Sequence, residues 1–441
     1  MGELELEIKD FVRSQGVEVV GIAGPGRLDG PPSLDPTYTM AGARSIVSMA
    51  IPMDTDAIYA FLSKQSPSPH NVDQSHGNQR MHRVSKALEE FLVSRGLRAR
   101  AVPPNNSYRR SPDVFATHPS FSHRFGAIAS GIGAQGWSGN VMTREYGASV
   151  YLGTVVTDAL LRNDPQLEAR HFIRGHCAGC KICARTCVAG MFEEEGEEYV
   201  LLNGELHPRG KRRNIDLCNA SCFGLHALSQ DRTWTTWGPY WIREWEGLKP
   251  GAGRLQVRRE LMQRGGSTGD SATRFELIRR TGKTLFPKEL IDELPLPDEL
   301  PDDQAECNRI MTEHAARVGV TGFHDPNVLT CGQCALVCGP TVAETTRRYE
   351  ALADGGLVVR GERAGEMVRA TNYEEAVAVR VARPRLQRIE LLRDNLASMV
   401  LWHRNYFGVE PRSIAQNILY QRRLKRALRE QGSQGGCHER A

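Results

Sequence analysis

Cysteine constrains this chain more than any other residue. Eleven occur in 441 residues, none of them in the first 176, and the first four stand as Cys177-Ala-Gly-Cys180-Lys-Ile-Cys183-Ala-Arg-Thr-Cys187. A C-x2-C-x2-C-x3-C run wraps three thiolates around one corner of an iron–sulfur cubane and sends the fourth toward a second cluster. The small residues Ala178, Gly179 and Ala184 let the backbone approach inorganic sulfur and donate N–H bonds to it. Zinc is the competing occupant, but its sites usually pair two separate knuckles, and a three-step ladder suits it poorly.

A second ladder, Cys331-Gly-Gln-Cys334-Ala-Leu-Val-Cys338, lacks one rung. Two [4Fe–4S] clusters take four thiolates each, one more than the seven these ladders hold. By the crossover rule the first cluster takes Cys177, Cys180, Cys183 and Cys338. The second takes Cys187, Cys331, Cys334 and either Cys222 or Cys218. Cys222 is favoured because Phe223 follows it and a helical segment continues to Ser229. Cys307 and Cys437 are left over, read as a buried thiol and a tail residue.

The rest of the composition narrows the class. With 56 Lys+Arg against 52 Asp+Glu the net charge is +4, too weak to imply nucleic acid by itself. Hydrophobic residues at 40% argue against intrinsic disorder, and no apolar run reaches the ~18 residues that span a bilayer. The start, MGELELEIKDF, reads as neither a secretory nor a twin-arginine signal. Clustered cysteines in a chain this long point to a cytoplasmic metalloprotein.

Along the chain, Leu4, Ile8, Phe11 and Val12 share a helical face, and a second helix is expected around 80–95. Residues 17–23, 44–52, 97–102 and 151–157 read as strands, with loops at 24–38 and 64–78. This alternation suggests an α/β or α+β domain over 1–170. A cysteine-bearing domain follows over 171–345, with a turn at Asn203-Gly204 and a polar helical insertion near 248–325. Residues 346–441 hold a short hairpin at 355–369, an amphipathic helix through Leu386 and Met399, and a basic tail, QRRLKRALRE, frayed or docking. The acidic run 193–198 and the basic run 209–213 read as solvated hairpin flanks.

The densest signal before the cysteines is Ala129-Ser-Gly131-Ile-Gly133-Ala-Gln135-Gly136-Trp137-Ser138-Gly139-Asn140. It is followed by Thr143-Arg-Glu-Tyr146-Gly and Tyr151-Leu152-Gly153-Thr-Val-Val-Thr-Asp158. Gly131-x-Gly133-x-x-Gly136 matches a dinucleotide fingerprint in form, but Ser138-Gly139-Asn140 would break the long helix that motif needs. This order of segments, with a ferredoxin-type ladder behind it, resembles the corrinoid iron–sulfur reductases, which comprise the reductive dehalogenases and epoxyqueuosine reductase.

The resemblance implies a nitroreductase-like corrinoid-binding domain followed by a two-[4Fe–4S] ferredoxin-like domain. Cobalamin would be held base-off. His123-Arg-Phe-Gly126 has Phe121 where a base-on motif would carry its aspartate. Gly131, Gly133, Gln135, Gly136 and Trp137, with Ser138, Gly139, Asn140, Tyr146, Leu152 and Gly153, would contact the corrin. Electrons entering from a ferredoxin, flavodoxin or reductase would pass through the clusters to cobalt.

Reductive cleavage also needs an acid. Family dehalogenases place a tyrosine beside a basic residue upstream of the glycine-rich loop, and Tyr108-Arg109-Arg110 stands there. Nearby positive charge lowers a phenol's pKa. The bland alternative is a solvated loop tyrosine, and His118, His123 and Asp113 compete with it. Arg124 is a candidate to steady an anionic substrate. Trp234, Trp237, Tyr240, Trp241 and Trp245 would wall a pocket or shield the second cluster. The sequence therefore reads as an oxidoreductase that removes a leaving group from a small organic substrate, with nucleic acid an unlikely partner. The alternatives are epoxyqueuosine-type tRNA modification and a pure electron-transfer protein.

Overall fold

Four apolar runs pair into one antiparallel sheet. In a computed structural model, β1 (Val19–Ala23), β2 (Ser45–Pro52), β3 (Ala99–Val102) and β8 (Val150–Thr157) lie in the order β1-β2-β8-β3. The structure describes residues 2–65, 68–103, 108–109, 118–167, 177, 179–187, 191–212, 332–355, 357–360, 367–370 and 411–435. β2 is SIVSMAIP and is buried at every residue but its last, because both of its faces are covered.

One face packs on α1 (Glu3–Ser14) and α3 (Ser68–Val93). Ile8, Val12, Met81 and Leu88 meet Ile22, Val47, Met49 and Val155 there. The other face packs on α4 (His123–Ala129), where Ala127 and Ile128 join Ile46, Ala50, Phe121 and Val156. Between α1 and α4 also lie α2 (Thr55–Leu62) and two minimal strands, β4 (Tyr108–Arg109) and β5 (His118–Pro119). After α4 come β6 (Ala134–Gln135) and β7 (Val141–Met142).

Every pairing in the large sheet is antiparallel, and β8 inserts between β2 and β3 and pairs with both. The fold is thus mixed α+β, and the expectation of a possible α/β arrangement is corrected. Helix–strand alternation in sequence does not fix strand direction when a later strand takes the central place.

A second correction concerns 64–78, expected as loop. α3 begins at Ser68 and includes His70, Asp73 and Gly77. Pro69 stands in its first turn, where a missing N–H is harmless. His70 and Gln79 are buried despite the polar composition. Gly77 lies under the Tyr151 ring, so packing against β8 overrides weak helix propensity.

The hairpin of β9 (Phe192–Leu202) and β10 (Glu205–Arg212) turns at Asn203 and Gly204, with φ of +54° and +81°, as a two-residue primed turn requires. Its charged runs are not simply solvated. Arg209 pairs with Glu198 at 2.7 Å and Lys211 with Glu193 at 2.9 Å across the strands. β11 (Leu357–Arg360) and β12 (Met367–Ala370) form the short hairpin expected near 355–369. The basic tail belongs to a helix, Pro411–Gly435, that docks on the first domain and the β9–β10 hairpin. The buried Tyr420 hydroxyl accepts the Leu201 N–H at 3.2 Å, and the Gln416 amide donates to Asp35 at 2.7 Å.

Among the described residues no helix is long and apolar enough to cross a membrane. The aromatic stretch 234–245, the insertion 248–325, the helix through Leu386, and Arg110 and Asp113 lie outside the described residues. So do Cys218, Cys222, Cys307, Cys331 and Cys437.

Candidate iron–sulfur centre

The two ladders repeat one local shape. In the first, Lys181 takes a left-handed conformation (φ +46°) and a single helical turn, Ile182–Arg185, follows. In the second, Gly332 (φ +58°) precedes the turn Gln333–Leu336. The closing bonds match: Ala184 N–H donates to Lys181 O at 3.0 Å and Ala335 N–H to Gly332 O at 2.8 Å. Cys187 and Cys338 N–H each close on the alanine carbonyl three residues back, at 3.2 Å. Equal steps in sequence therefore become equal loops, with Cys183 equivalent to Cys334 and Cys187 to Cys338.

These loops face each other. Cys183 lies within electrostatic range of Cys334, Cys338, Cys177 and Cys180, and Cys338 within range of Cys177, Cys180 and Cys334. Cys338 is thus among the three thiols with which the crossover expectation groups it. Cys334, expected in the other cluster, stands at the same junction, while Cys187 accepts the Met191 N–H at 3.5 Å. Among the described residues no three Cys, His, Asp or Glu side chains converge on a point suited to one metal ion.

Burial is the main reason these thiols resist ionisation, and neighbouring sulfurs add to it. Cys338 is pushed up to about 12, and Cys183 is raised further. Burial also raises Cys177, whose thiol touches the Met142 sulfur at 3.3 Å. A cationic metal core reverses this, since a coordinating thiol is deprotonated outright. A set of half-dry thiols with matching loops fits an iron–sulfur group.

The first domain packs directly on the ladders. Ser149, just before β8, donates to Ala335 O at 2.9 Å, and Ala148 N–H bonds Cys338 O at 3.0 Å. Gly147 has φ +64°, and a side chain there would run into the carbonyls of Cys338 and Gly339. Arg348, on the helix Val342–Asp354 and 4% exposed, donates to Ser149, Leu336 O and Glu344. The sequence reading missed Ser149 and Arg348, because one arginine on a helix carries no spacing signal.

The glycine-rich segment is a tight hairpin. Gly131 follows α4, Gly133 and Gly136 flank β6, and Gly136 N–H bonds Asn140 O at 2.8 Å. The Gln135 amide donates to His207 O at 3.3 Å, and the Ser138 carbonyl accepts from Arg212 at 3.2 Å. Trp137 is buried beneath the Lys181 ammonium, 4.8 Å from the ring centroid. Tyr146 N–H bonds Thr143. On β8, Leu152 pairs with Ala50, while Gly153 makes room for Met81 and Ser85 of α3. The close approaches around Gly131, Gly147 and Gly153 are all to protein atoms.

Of the acid candidates, Tyr108 pairs with Pro119 in the β4–β5 ladder and Arg109 with His118. Arg124 is exposed on α4. The His123 ring is engaged at both nitrogens, Nδ1 with Thr154 Oγ1 at 2.9 Å and Nε2 with Pro103 O at 3.2 Å. Because that carbonyl only accepts, Nε2 carries the proton and Nδ1 accepts from the threonine. Burial holds the imidazole down at about 4. His123 is thereby tied into the fold at both ends.

No family model matches the chain. The chain is similar to the epoxyqueuosine reductase of Atelocyanobacterium thalassa, 26% identical over 195 residues that cover 41% of this chain and 61% of that one. It is 25% identical over 167 residues to the Bacillus cereus epoxyqueuosine reductase, covering 37% and 40%. It thus spans about three fifths of the first relative and two fifths of the second. Among solved structures, an epoxyqueuosine reductase with an epoxyqueuosine-modified tRNA-Tyr stem loop overlaps at a TM-score of 0.38 and 15% identity, over 90% of this chain and 99% of that one. A catabolic reductive dehalogenase in complex with 3-bromo-4-hydroxybenzoic acid overlaps at 0.37 and 15% identity, over 49% and 28%. The curated similarity and the order of motifs in the sequence point the same way, and over about two fifths of its length this chain is similar to epoxyqueuosine reductases.

Proposed function

We propose that the chain is an iron–sulfur oxidoreductase that performs epoxyqueuosine-type reduction, acting on the epoxide of a modified tRNA nucleoside. The observation that carries this reading is the similarity to two curated epoxyqueuosine reductases, supported by two cysteine ladders of equal shape that converge on the first domain. It replaces the small-substrate, dehalogenase-like reading as the leading one, and with it the expectation that nucleic acid is an unlikely partner. A net charge of +4 gave no reason to expect RNA, but total charge does not report a local surface.

The chemistry balances simply. A pair of electrons and a pair of protons release an epoxide oxygen as water and leave a carbon–carbon double bond. Iron–sulfur clusters supply electrons one at a time from an external ferredoxin, flavodoxin or reductase. The chain's own residues hold the cysteines in a buried junction, fix the second ladder against the entry of β8 through Ser149 and Arg348, and close the glycine-rich hairpin by the Gly136–Asn140 bond. The family resemblance adds a corrinoid that supplies low-potential reduction at carbon.

Anaerobic reconstitution with iron and sulfide, with cobalamin added, tests the reading. Iron uptake with conversion of epoxyqueuosine in tRNA, read by nucleoside mass spectrometry, is the expected result. Halide release from aryl halides with unchanged tRNA would return the dehalogenase reading. Iron binding with no cobalamin uptake and no turnover would leave an electron-transfer protein.

A further inference from the structure

The segment expected to cradle a corrin faces sulfur. Asn140, at the end of the glycine-rich hairpin, is 8% exposed, and its side-chain Nδ2 donates to Cys334 Sγ at 3.2 Å. Its own backbone is fixed on both sides, the N–H on Ser138 Oγ at 3.3 Å and the carbonyl on Gly136 N–H at 2.8 Å. The same segment meets the ladders at two further points: the Trp137 N–H reaches Cys177, and the Ala148 N–H donates to the Cys338 backbone carbonyl at 3.0 Å. Residues 137–148 thus present N–H donors to both ladders. Among these, Asn140 alone donates from a side chain.

We infer that Asn140 is a positioning residue for the second iron–sulfur cluster, setting its reduction potential through the N–H···S bond to Cys334. The inference rests on the iron–sulfur reading of the site. A hydrogen bond to a ligating sulfur withdraws charge and stabilises the reduced cluster, and such bonds are among the factors that set cluster potential. The bond also runs from the first domain to the ladder, so this domain would tune the cluster that delivers electrons to it.

The test is an EPR-monitored redox titration of the reconstituted full chain. Asn140→Asp keeps the shape and replaces the donor with an acceptor, while Asn140→Ser keeps a shorter donor. The expected result is a lower potential for one cluster in Asn140→Asp, a smaller shift in Asn140→Ser, and an unchanged second cluster with full iron content. Unaltered potentials in both variants would overturn the inference. So would weakened cobalamin binding without a potential shift, which would make Asn140 a corrin contact. If Asn140→Asp loses iron, Asn140→Ser decides on the same criterion. A wild-type chain that takes up no iron would instead defeat the iron–sulfur reading itself.

Discussion

The Arg348 guanidinium donates to the Ser149 hydroxyl at 2.7 Å, and that bond joins the entry of β8 to the second cysteine ladder. The same group bonds the Leu336 carbonyl at 3.0 Å and Glu344 at 2.8 Å, with Arg348 4% and Glu344 13% exposed. Removing one partner of a buried pair leaves the other uncompensated. Arg348→Met should therefore cost about 3 kcal/mol in urea unfolding and loosen the second ladder. Unchanged stability with full iron content would show that the junction does not depend on this cation.

Gly147 offers a sharper probe of the same junction. Its φ is +64°, and an added Cβ would press on the carbonyls of Cys338 and Gly339. Gly147→Ala should destabilise the protein by about 2–4 kcal/mol, through both strain and overlap with backbone that cannot move freely. Melting temperature and bound iron should fall together. A variant that melts and binds iron like the wild type would mean that the two segments stand further apart.

Ligand assignment is read from iron content. Cys338→Ser should remove the cluster shared with Cys177, Cys180 and Cys183, leaving about half of the iron. Cys222→Ser should abolish the other cluster, and Cys218→Ser should not. The reverse pair of outcomes would make Cys218 the missing ligand.

Acid should destabilise the fold through buried imidazoles. Burial holds His70 at about 4, and among the described residues its Nδ1, beside Phe61, has no hydrogen-bond partner. His123 is held at about 4 as well, again chiefly by burial. An unfolded histidine titrates near 6.5, so between about 6.5 and 4 the unfolded chain binds more protons. Their contribution is complete above about pH 6.5 and falls as pH drops toward 4. His70→Gln should flatten the stability–pH profile by up to about 1.4 kcal/mol per pH unit in that window. Denaturant unfolding of both proteins between pH 7.5 and 5 checks this, and parallel profiles would place the ring in contact with water.

Much of the iron–sulfur reading was legible because it rests on local covalent geometry. Cysteine steps of equal length force equal loops, so C-x2-C-x3-C predicts the paired turns at Ile182–Arg185 and Gln333–Leu336 wherever the ladders end up. The four main strands were legible for a similar reason, since apolar runs such as SIVSMAIP must be covered on both faces. Asn203-Gly204 named its own turn.

Tertiary structure decided what depends on contacts distant in the chain. It chose the antiparallel order that puts β8 between β2 and β3, and it made 68–79 helical by packing Gly77 under Tyr151. It closed the glycines on protein atoms and turned Asn140 toward Cys334, across 194 residues of sequence. It also drew Arg348 to Ser149 across 199. Spacing along a chain fixes the shape of a loop, but which surface that loop meets is set by how sheet, helices and ladders pack together.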